Sequence, residues 1–115
     1  MNYEFETGAE ILEIIDRCSD RKKLVDILLF IHKRLESDVM PIEGYMWQSL
    51  CNHVAAMVDR SISGEELEGF DEGLFSEISA ESIQLADDIT IRIGNLASIE
   101  KYLLSVHFER AKRQL

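Results

Sequence analysis

The feature that most limits the possible folds is a set of apolar residues spaced as on one face of an α-helix. Between residues 20 and 36 these positions are Leu24, Ile27, Leu28, Ile31 and Leu35. Intervals of three and four residues place them along one side of a helix, whereas a half-buried strand would alternate. Three further apolar residues, Val25, Leu29 and Phe30, widen this side. We therefore expect this helix to lie at the centre of the core.

Helical spacing also occurs before and after this segment. We predict helices over about 8–18, 20–36, 42–60 and 64–69, a further helix after Ser79, and a last helix over about 96–112. The last helix is predicted to bury Ile99, Tyr102, Leu103 and Val106. Helix starts are marked by possible caps at Ser19 or Asp20 and at Ser79, and by the capping-box pairs Thr7 with Glu10 and Ser63 with Glu66. Pro41 prevents the second helix from continuing.

Residues 89–93 have two interpretations. Ile89, Ile91 and Ile93 alternate with polar residues and are β-branched, which is typical of a strand. A strand needs a partner, and the only evident one is residues 1–5. We predict a helix here. The fold prediction is therefore all-α: a compact antiparallel bundle of four to five helices in a single domain, 1–115, with an α+β pairing of residues 1–5 and 89–93 as the minor alternative.

The negative charge is concentrated in one stretch. Residues 61–91 hold nine carboxylates and no Lys or Arg, while the remaining chain holds 12 basic and 13 acidic residues. A net charge of −10 argues against nucleic acid or an anionic membrane as the main partner, because both need a clustered basic patch. It indicates a protein partner with a basic surface, since complementary charge speeds association.

We name the residues predicted to meet that partner the predicted contact surface. They combine carboxylates with two aromatic side chains, because interface anchors are enriched in aromatic residues. The members are Glu65, Glu66, Glu68, Phe70, Asp71, Glu72, Phe75, Glu77, Asp87 and Asp88. The sequence leaves open whether Phe70 and Phe75 project outward or belong to the core.

Motifs for catalysis and for metal or cofactor binding are missing from the sequence. His32, His53 and His107 are far apart, and there is no H-E-x-x-H, E-x-x-H or paired C-x-x-C. There is no nucleophile elbow or glycine-rich phosphate loop. We therefore predict no enzyme activity, no metal and no cofactor. An enzyme would become the better hypothesis if His53 or His107 shared a pocket with an acid and a nucleophile.

The cysteines and the N-terminus predict a cytoplasmic protein. Cys18 and Cys51 lie on different predicted helices and are interpreted as reduced, buried residues, although a disulfide between them stays open. The acidic start, residues 1–6, is unlike a secretory signal, and no apolar run approaches the roughly 20 residues of a membrane span. Whether the protein is a monomer or a homodimer stays open.

Small size, acidity and the absence of catalytic motifs resemble the general character of bacterial immunity proteins. The resemblance implies an inhibitor that neutralises a basic toxin or nuclease domain by covering its positive surface. Two alternatives remain from the same observations. One is a nucleic-acid mimic that inhibits a DNA- or RNA-binding protein. The other is a chaperone or adaptor that holds an amphipathic segment of its partner.

Overall fold

Five α-helices form the protein in a computed structural model that describes residue 5 and residues 7–38, 40 and 42–113. They are α1 (Ala9–Arg17), α2 (Arg21–Ser37), α3 (Tyr45–Ser63), α4 (Ala80–Ile93) and α5 (Ile99–Arg113). A 3₁₀ helix, Glu72–Phe75, lies in the connection between α3 and α4. The predicted compact all-α bundle is confirmed, and these residues contain no strand. None of the described helices is both long and apolar enough to cross a membrane.

The core is built around α2, as its apolar spacing predicts, together with α3. All five residues of the stripe on α2 are buried, and α3 adds Trp47, Leu50, Cys51, Val54 and Val58. Helices α4 and α5 close over them with buried side chains that include Ile89 and Phe108. Each large apolar side chain buried in this way contributes about 1.5–3 kcal/mol to folding. Cys18 and Cys51 are both buried free thiols.

Residues 89–93 are the last part of α4, so the strand alternative is wrong for them. Ile89 and Ile93 are buried while Ile91 is 70% exposed. In a strand all three would share one face, whereas on a helix the middle residue turns away. Residues 1–4, the rest of the possible partner strand, lie outside the described residues. Phe5 is buried in the core against Trp47, with ring centroids 5.5 Å apart.

The helix ends confirm two predicted caps and correct two others. Asp20 accepts a hydrogen bond from the backbone N–H of Lys23, and Ser79 accepts one from Ser82. The residue before α1 is Gly8 rather than Thr7, and no side chain caps that helix. Pro41 lies outside the described residues.

The predicted helix over 64–69 is wrong. Helix α3 runs on to Ser63 and stops at Gly64, which has a φ of +79°. A glycine in this left-handed conformation ends a helix without steric strain. The residues that follow, 64–71, have no regular secondary structure.

The buried face of α5 differs from the prediction. Ile99 is buried, but Tyr102, Leu103 and Val106 are only half-buried. Their place in the interior is taken by Leu104 and Phe108 together with polar residues, Glu100 and Ser105. Polar side chains can face inward here because each has a partner: Ser105 donates to the backbone carbonyl of Tyr102 at 2.6 Å, and Glu100 pairs with an arginine.

Candidate functional site

A pair of histidines from α3 and α5 forms the centre of the candidate site. Nδ1 of His53 lies 3.0 Å from Nε2 of His107, which is hydrogen-bonding distance. The two rings are nearly perpendicular, at 82°, with centroids 4.9 Å apart. One of the two nitrogens must donate and the other accept, and so the pair shares one proton along this contact. We refer to these two residues as the histidine pair.

The surroundings of His53 indicate which nitrogen carries that proton. Nε2 of His53 is buried and has no hydrogen-bond partner among the described residues. An unpartnered buried N–H is rarer and more costly than an unpartnered acceptor. We therefore assign the proton to Nδ1 of His53, which donates to Nε2 of His107. Nε2 of His53 is then an unprotonated nitrogen with a free lone pair.

Both imidazoles are held in the neutral form. Burial lowers the pKa of His53 to about 4, and the neighbouring His107 and Arg60 act in the same direction. Burial also lowers the pKa of His107, and the charge of Arg110 adds to this effect. Both rings are therefore in the neutral form, which is the nucleophilic form of imidazole, near pH 7.

The histidine pair lies in an open cleft of about 600 Å³ between α3 and α5. Two cations, Arg60 and Arg110, line this histidine cleft, and polar residues Ser49 and Asn52 lie beside them. Leu103 and Val106 of α5 form its apolar part, and Leu67 reaches it from the connection after α3. Half-burial of Leu103 and Val106, which differs from the sequence prediction, therefore follows from their position along the cleft.

Arg60 is fixed in place by Glu100. Its Nε and one terminal nitrogen each donate a 2.7 Å hydrogen bond to a different oxygen of the Glu100 carboxylate. Glu100 is fully buried, at 0% exposure. These bonds are the main cause that raises the pKa of Arg60, so the guanidinium stays charged. The ion pair joins α3 to α5 and presents a fixed cation to the histidine cleft.

The chemistry of the cleft favours a negatively charged group. Its lining, within the part of the chain that the structure describes, contains two imidazoles and two arginines but no carboxylate. The same residues hold no group of three or more His, Cys, Asp or Glu side chains that could bind a metal ion. The histidines therefore share a pocket with Ser49 but not with an acid. The enzyme hypothesis needs both an acid and a nucleophile beside a histidine, and the described lining supplies no acid.

Most of the predicted contact surface lies in the connection between α3 and α4. Its six carboxylates there are exposed: Glu65, Glu66, Glu68, Asp71, Glu72 and Glu77. Phe70 is 47% exposed, whereas Phe75 stacks on Tyr102 of α5 with ring centroids 5.8 Å apart. The structure thus separates the two aromatic residues: Phe70 projects and Phe75 packs. A role of these residues in binding a partner stays a prediction.

The remaining two residues of this surface are held within the molecule. Asp88 lies on α4 and accepts a 2.9 Å hydrogen bond from Arg34 of α2, which lowers the pKa of its carboxyl. Asp87 lies 3.7 Å from Lys101 of α5. Both carboxylates therefore already pair with cations on neighbouring helices, unlike the carboxylates of the connection.

The histidine pair was not predicted from the sequence. His53 and His107 are 54 residues apart, and each stands next to a core residue, Val54 and Phe108 respectively. That position at the margin of an apolar face is the one available signal. It shows that each histidine is near a helix interface, but it cannot show that the two interfaces are the same.

Comparison with known proteins gave a match among solved structures alone. No protein-family model and no curated protein matches the chain. The crystal structure of a PRD-containing transcription regulator from Lactobacillus casei ATCC 334, at 1.38 Å resolution, matches with a TM-score of 0.90 and 33% sequence identity. The match covers 97% of this chain and 100% of that chain. The similarity therefore extends over nearly the whole of this chain and the whole of that one.

This match corrects the functional prediction. A chain that resembles a transcription regulator over its full length is not explained as an immunity-type inhibitor of a toxin or nuclease, and that prediction is wrong, as are its mimic and adaptor alternatives. The prediction failed because concentrated negative charge indicates only that a partner is cationic; it carries no information about the purpose of the contact. A regulatory neighbour supports protein interactions of some kind.

Proposed function

This chain belongs to the PRD family, and on that premise we propose that it is a regulatory domain of a transcription regulator, with the histidine pair as the site that receives its signal. The observation that carries the proposal is the match, over 97% of this chain, to a PRD-containing transcription regulator at 33% identity. The neutral histidine pair in an open cleft supports the choice of site. No catalytic turnover is part of this proposal.

The charge of the chain supports an indirect action on transcription. A net charge of −10 opposes contact with DNA phosphates. We therefore propose that the domain works in the cytoplasm through a protein partner with a basic surface. The exposed part of the predicted contact surface, between α3 and α4, is the proposed place of that contact because its carboxylates are largely free of internal cations.

The chemistry of the histidine cleft supports a phosphoryl group as the signal. A neutral imidazole nitrogen can attack phosphorus, and the bond between phosphorus and the donor then breaks. The rest of the donor departs with the bonding electrons, and it takes up the proton that the other ring nitrogen loses as the new N–P bond forms. Arg60 and Arg110 favour the negative charge of the product, since cationic donors bind phosphoryl oxygens strongly.

The role in transcription is tested in the native host. The gene is deleted and then restored as wild type, as the His53→Ala/His107→Ala double variant, or as the control His32→Gln. His32 is a matched control because it is a partly exposed histidine on α2, away from the histidine cleft. We expect deletion to change a defined set of transcripts, which wild type and His32→Gln restore and the double variant does not. Identical transcripts in the deletion and wild-type strains would contradict the proposal.

The chemical signal is tested on the purified protein with phosphoramidate as the phosphoryl donor. We expect the intact mass to increase by one phosphoryl group that acid removes, because an N–P bond to imidazole is acid-labile. His53→Ala and His107→Ala, tested separately, identify the acceptor, and His32→Gln should react like wild type. Equal labelling of the double variant and wild type would exclude the histidine pair as the acceptor.

A further inference from the structure

The first part of the connection between α3 and α4 lies against the histidine cleft. Residues 64–71 carry four carboxylates and no Lys or Arg: Glu65, Glu66, Glu68 and Asp71. In the middle of them, Leu67 is half-buried and forms part of the lining of the cleft, although Glu66 and Glu68 on either side are exposed. An otherwise exposed acidic segment is thus attached to the cleft by one apolar side chain.

Charge attracts the same segment to the cleft. Glu65 adds to the effect of Glu100 in raising the pKa of Arg60, so its carboxylate acts on the guanidinium at the cleft wall. Arg110 provides a second cation in the lining. Arg60 is already paired with Glu100, and Glu65 adds a weaker, exposed attraction to the same guanidinium.

The two ends of the connection are held by hydrogen bonds, but the part beside the cleft is not. At the start, the backbone N–H of Gly64 donates to the carbonyl of Arg60 at 2.8 Å. At the end, the backbone N–H and the hydroxyl of Ser79 donate to Glu109 of α5 at 3.1 and 2.7 Å. Among the described residues, no hydrogen bond joins residues 66–70 to any helix. That part can therefore move without breaking a hydrogen bond.

From these contacts we propose that residues 64–71 form an acidic flap, which borders the open histidine cleft with Leu67 in its lining while the histidine pair is neutral, and which moves away when the pair carries an anionic group. This inference rests on the proposed function, because it takes the signal at the pair to be negatively charged. The new anion pairs with Arg60 and Arg110 and repels Glu65, so it removes the attraction that holds the flap. Leu67 then leaves the cleft.

Movement of the flap couples a chemical change in the cleft to the position of exposed residues on the protein surface. The flap contains the exposed Phe70 and most of the carboxylates proposed to meet a basic partner. Its position therefore decides how these groups are presented to that partner. The predicted contact surface and the histidine pair are then coupled, because a modification of the histidines changes the position of the surface residues.

The flap is tested by methyl NMR on protein labelled at Leu and Val methyl groups. In wild type we expect nuclear Overhauser contacts from the Leu67 methyls to the methyls of Leu103 or Val106, because all three line the cleft. The variant His107→Glu installs a carboxylate in the cleft, and His107→Gln is its uncharged control. We expect the contacts to be lost in His107→Glu and retained in His107→Gln. Equal spectra of the Leu67 methyls in the two variants would overturn the flap.

Two further experiments test whether charge repulsion, and not a general disturbance of the structure, moves Leu67. When Glu65→Gln, Glu66→Gln and Glu68→Gln are combined with His107→Glu, we expect the contacts of Leu67 to return, because the repulsion is gone. In wild type, titration with inorganic phosphate against chloride at equal ionic strength should shift the Leu67 methyls. The half-saturating phosphate concentration should fall roughly threefold or more in the triple glutamine variant, since competition by the flap is removed. An unchanged concentration would count against the flap even if His107→Glu failed to fold.

These outcomes separate the flap from the proposed function. If phosphoramidate leaves the histidines unmodified but His107→Glu still detaches Leu67, the phosphoryl signal fails and the flap remains as a response to another anion. If the histidines take up the phosphoryl group and Leu67 stays in the cleft in every variant, the flap fails and the proposed function remains.

Discussion

The guanidinium of Arg60 and the fully buried carboxylate of Glu100 are joined by two hydrogen bonds of 2.7 Å, which tie α3 to α5. Each of the two residues is seven positions from one member of the histidine pair, about 10 Å along its helix. The ion pair therefore sets the relative position of the two helices that form the histidine cleft.

The first prediction concerns this ion pair. Arg60→Ala should lower the free energy of unfolding by about 3–5 kcal/mol, because it leaves the buried Glu100 carboxylate without a counter-charge. The double variant with Glu100→Ala should cost less than the sum of the two single variants, since both charges are then removed. Urea denaturation measures both effects. The exposed pair of Glu13 with Arg17 is the control, and Glu13→Gln should change stability little.

The second prediction concerns the pH dependence of stability through His53. Its folded-state pKa is about 4, below the ordinary 6.5, so the unfolded state binds more protons between these values. The free energy of unfolding should therefore fall as the pH falls from 6.5 to 4, by up to about 1.4 kcal/mol per pH unit from this group. Urea denaturation from pH 7 to 5 should show this slope in wild type and in His32→Gln. A variant His53→Gln with the same slope as wild type would contradict the assignment.

The third prediction concerns Glu109, which holds the start of α4. Its carboxylate accepts hydrogen bonds from the hydroxyls of Ser79 and Ser82 at 2.7 and 2.9 Å, and the bond from Ser79 is the main cause that lowers its pKa to about 2. Glu109→Ala should cost about 1–3 kcal/mol, because these donors lose a charged acceptor. Thermal unfolding at pH 7 measures the cost. Because the folded pKa is lowered, the contribution should disappear as the pH falls from 4.5 towards 2, a range that lies mostly below the one in which His53 titrates.

The fourth prediction compares two glycines with positive φ. Gly64 ends α3 at φ +79° and ψ 5°, whereas Gly94 ends α4 at φ +80° and ψ 163°. The first conformation is the left-handed helical region, which costs another residue about 1–2 kcal/mol, and the second is accessible almost to glycine alone. Gly94→Ala should therefore lower the melting temperature more than Gly64→Ala does. The opposite order would mean that space around the glycines, rather than backbone conformation, controls the cost.

The helices and their core faces were predictable where the pattern is local. The stripe of α2 and the buried face of α3 follow from apolar spacing, and Asp20 and Ser79 cap the helices predicted for them. Ser63 misled the prediction because a capping-box pattern and a helix C-terminus with Gly64 use overlapping residues. The buried face of α5 was misplaced because Glu100 faces inward and pairs with Arg60, which lies 40 residues earlier.

The candidate site shows the same difference between features set by neighbouring residues and features set by contacts between residues distant in sequence. The sequence by itself determined that the chain is helical and that its excess negative charge is concentrated in residues 61–91, since helical periodicity and charge composition are properties of neighbouring residues. Only the tertiary structure decided that His53 meets His107, that Arg60 and Arg110 line the same cleft and that Leu67 reaches it. These contacts depend on how helix faces distant in sequence pack against one another, and that packing is chosen by the whole core rather than by any one segment.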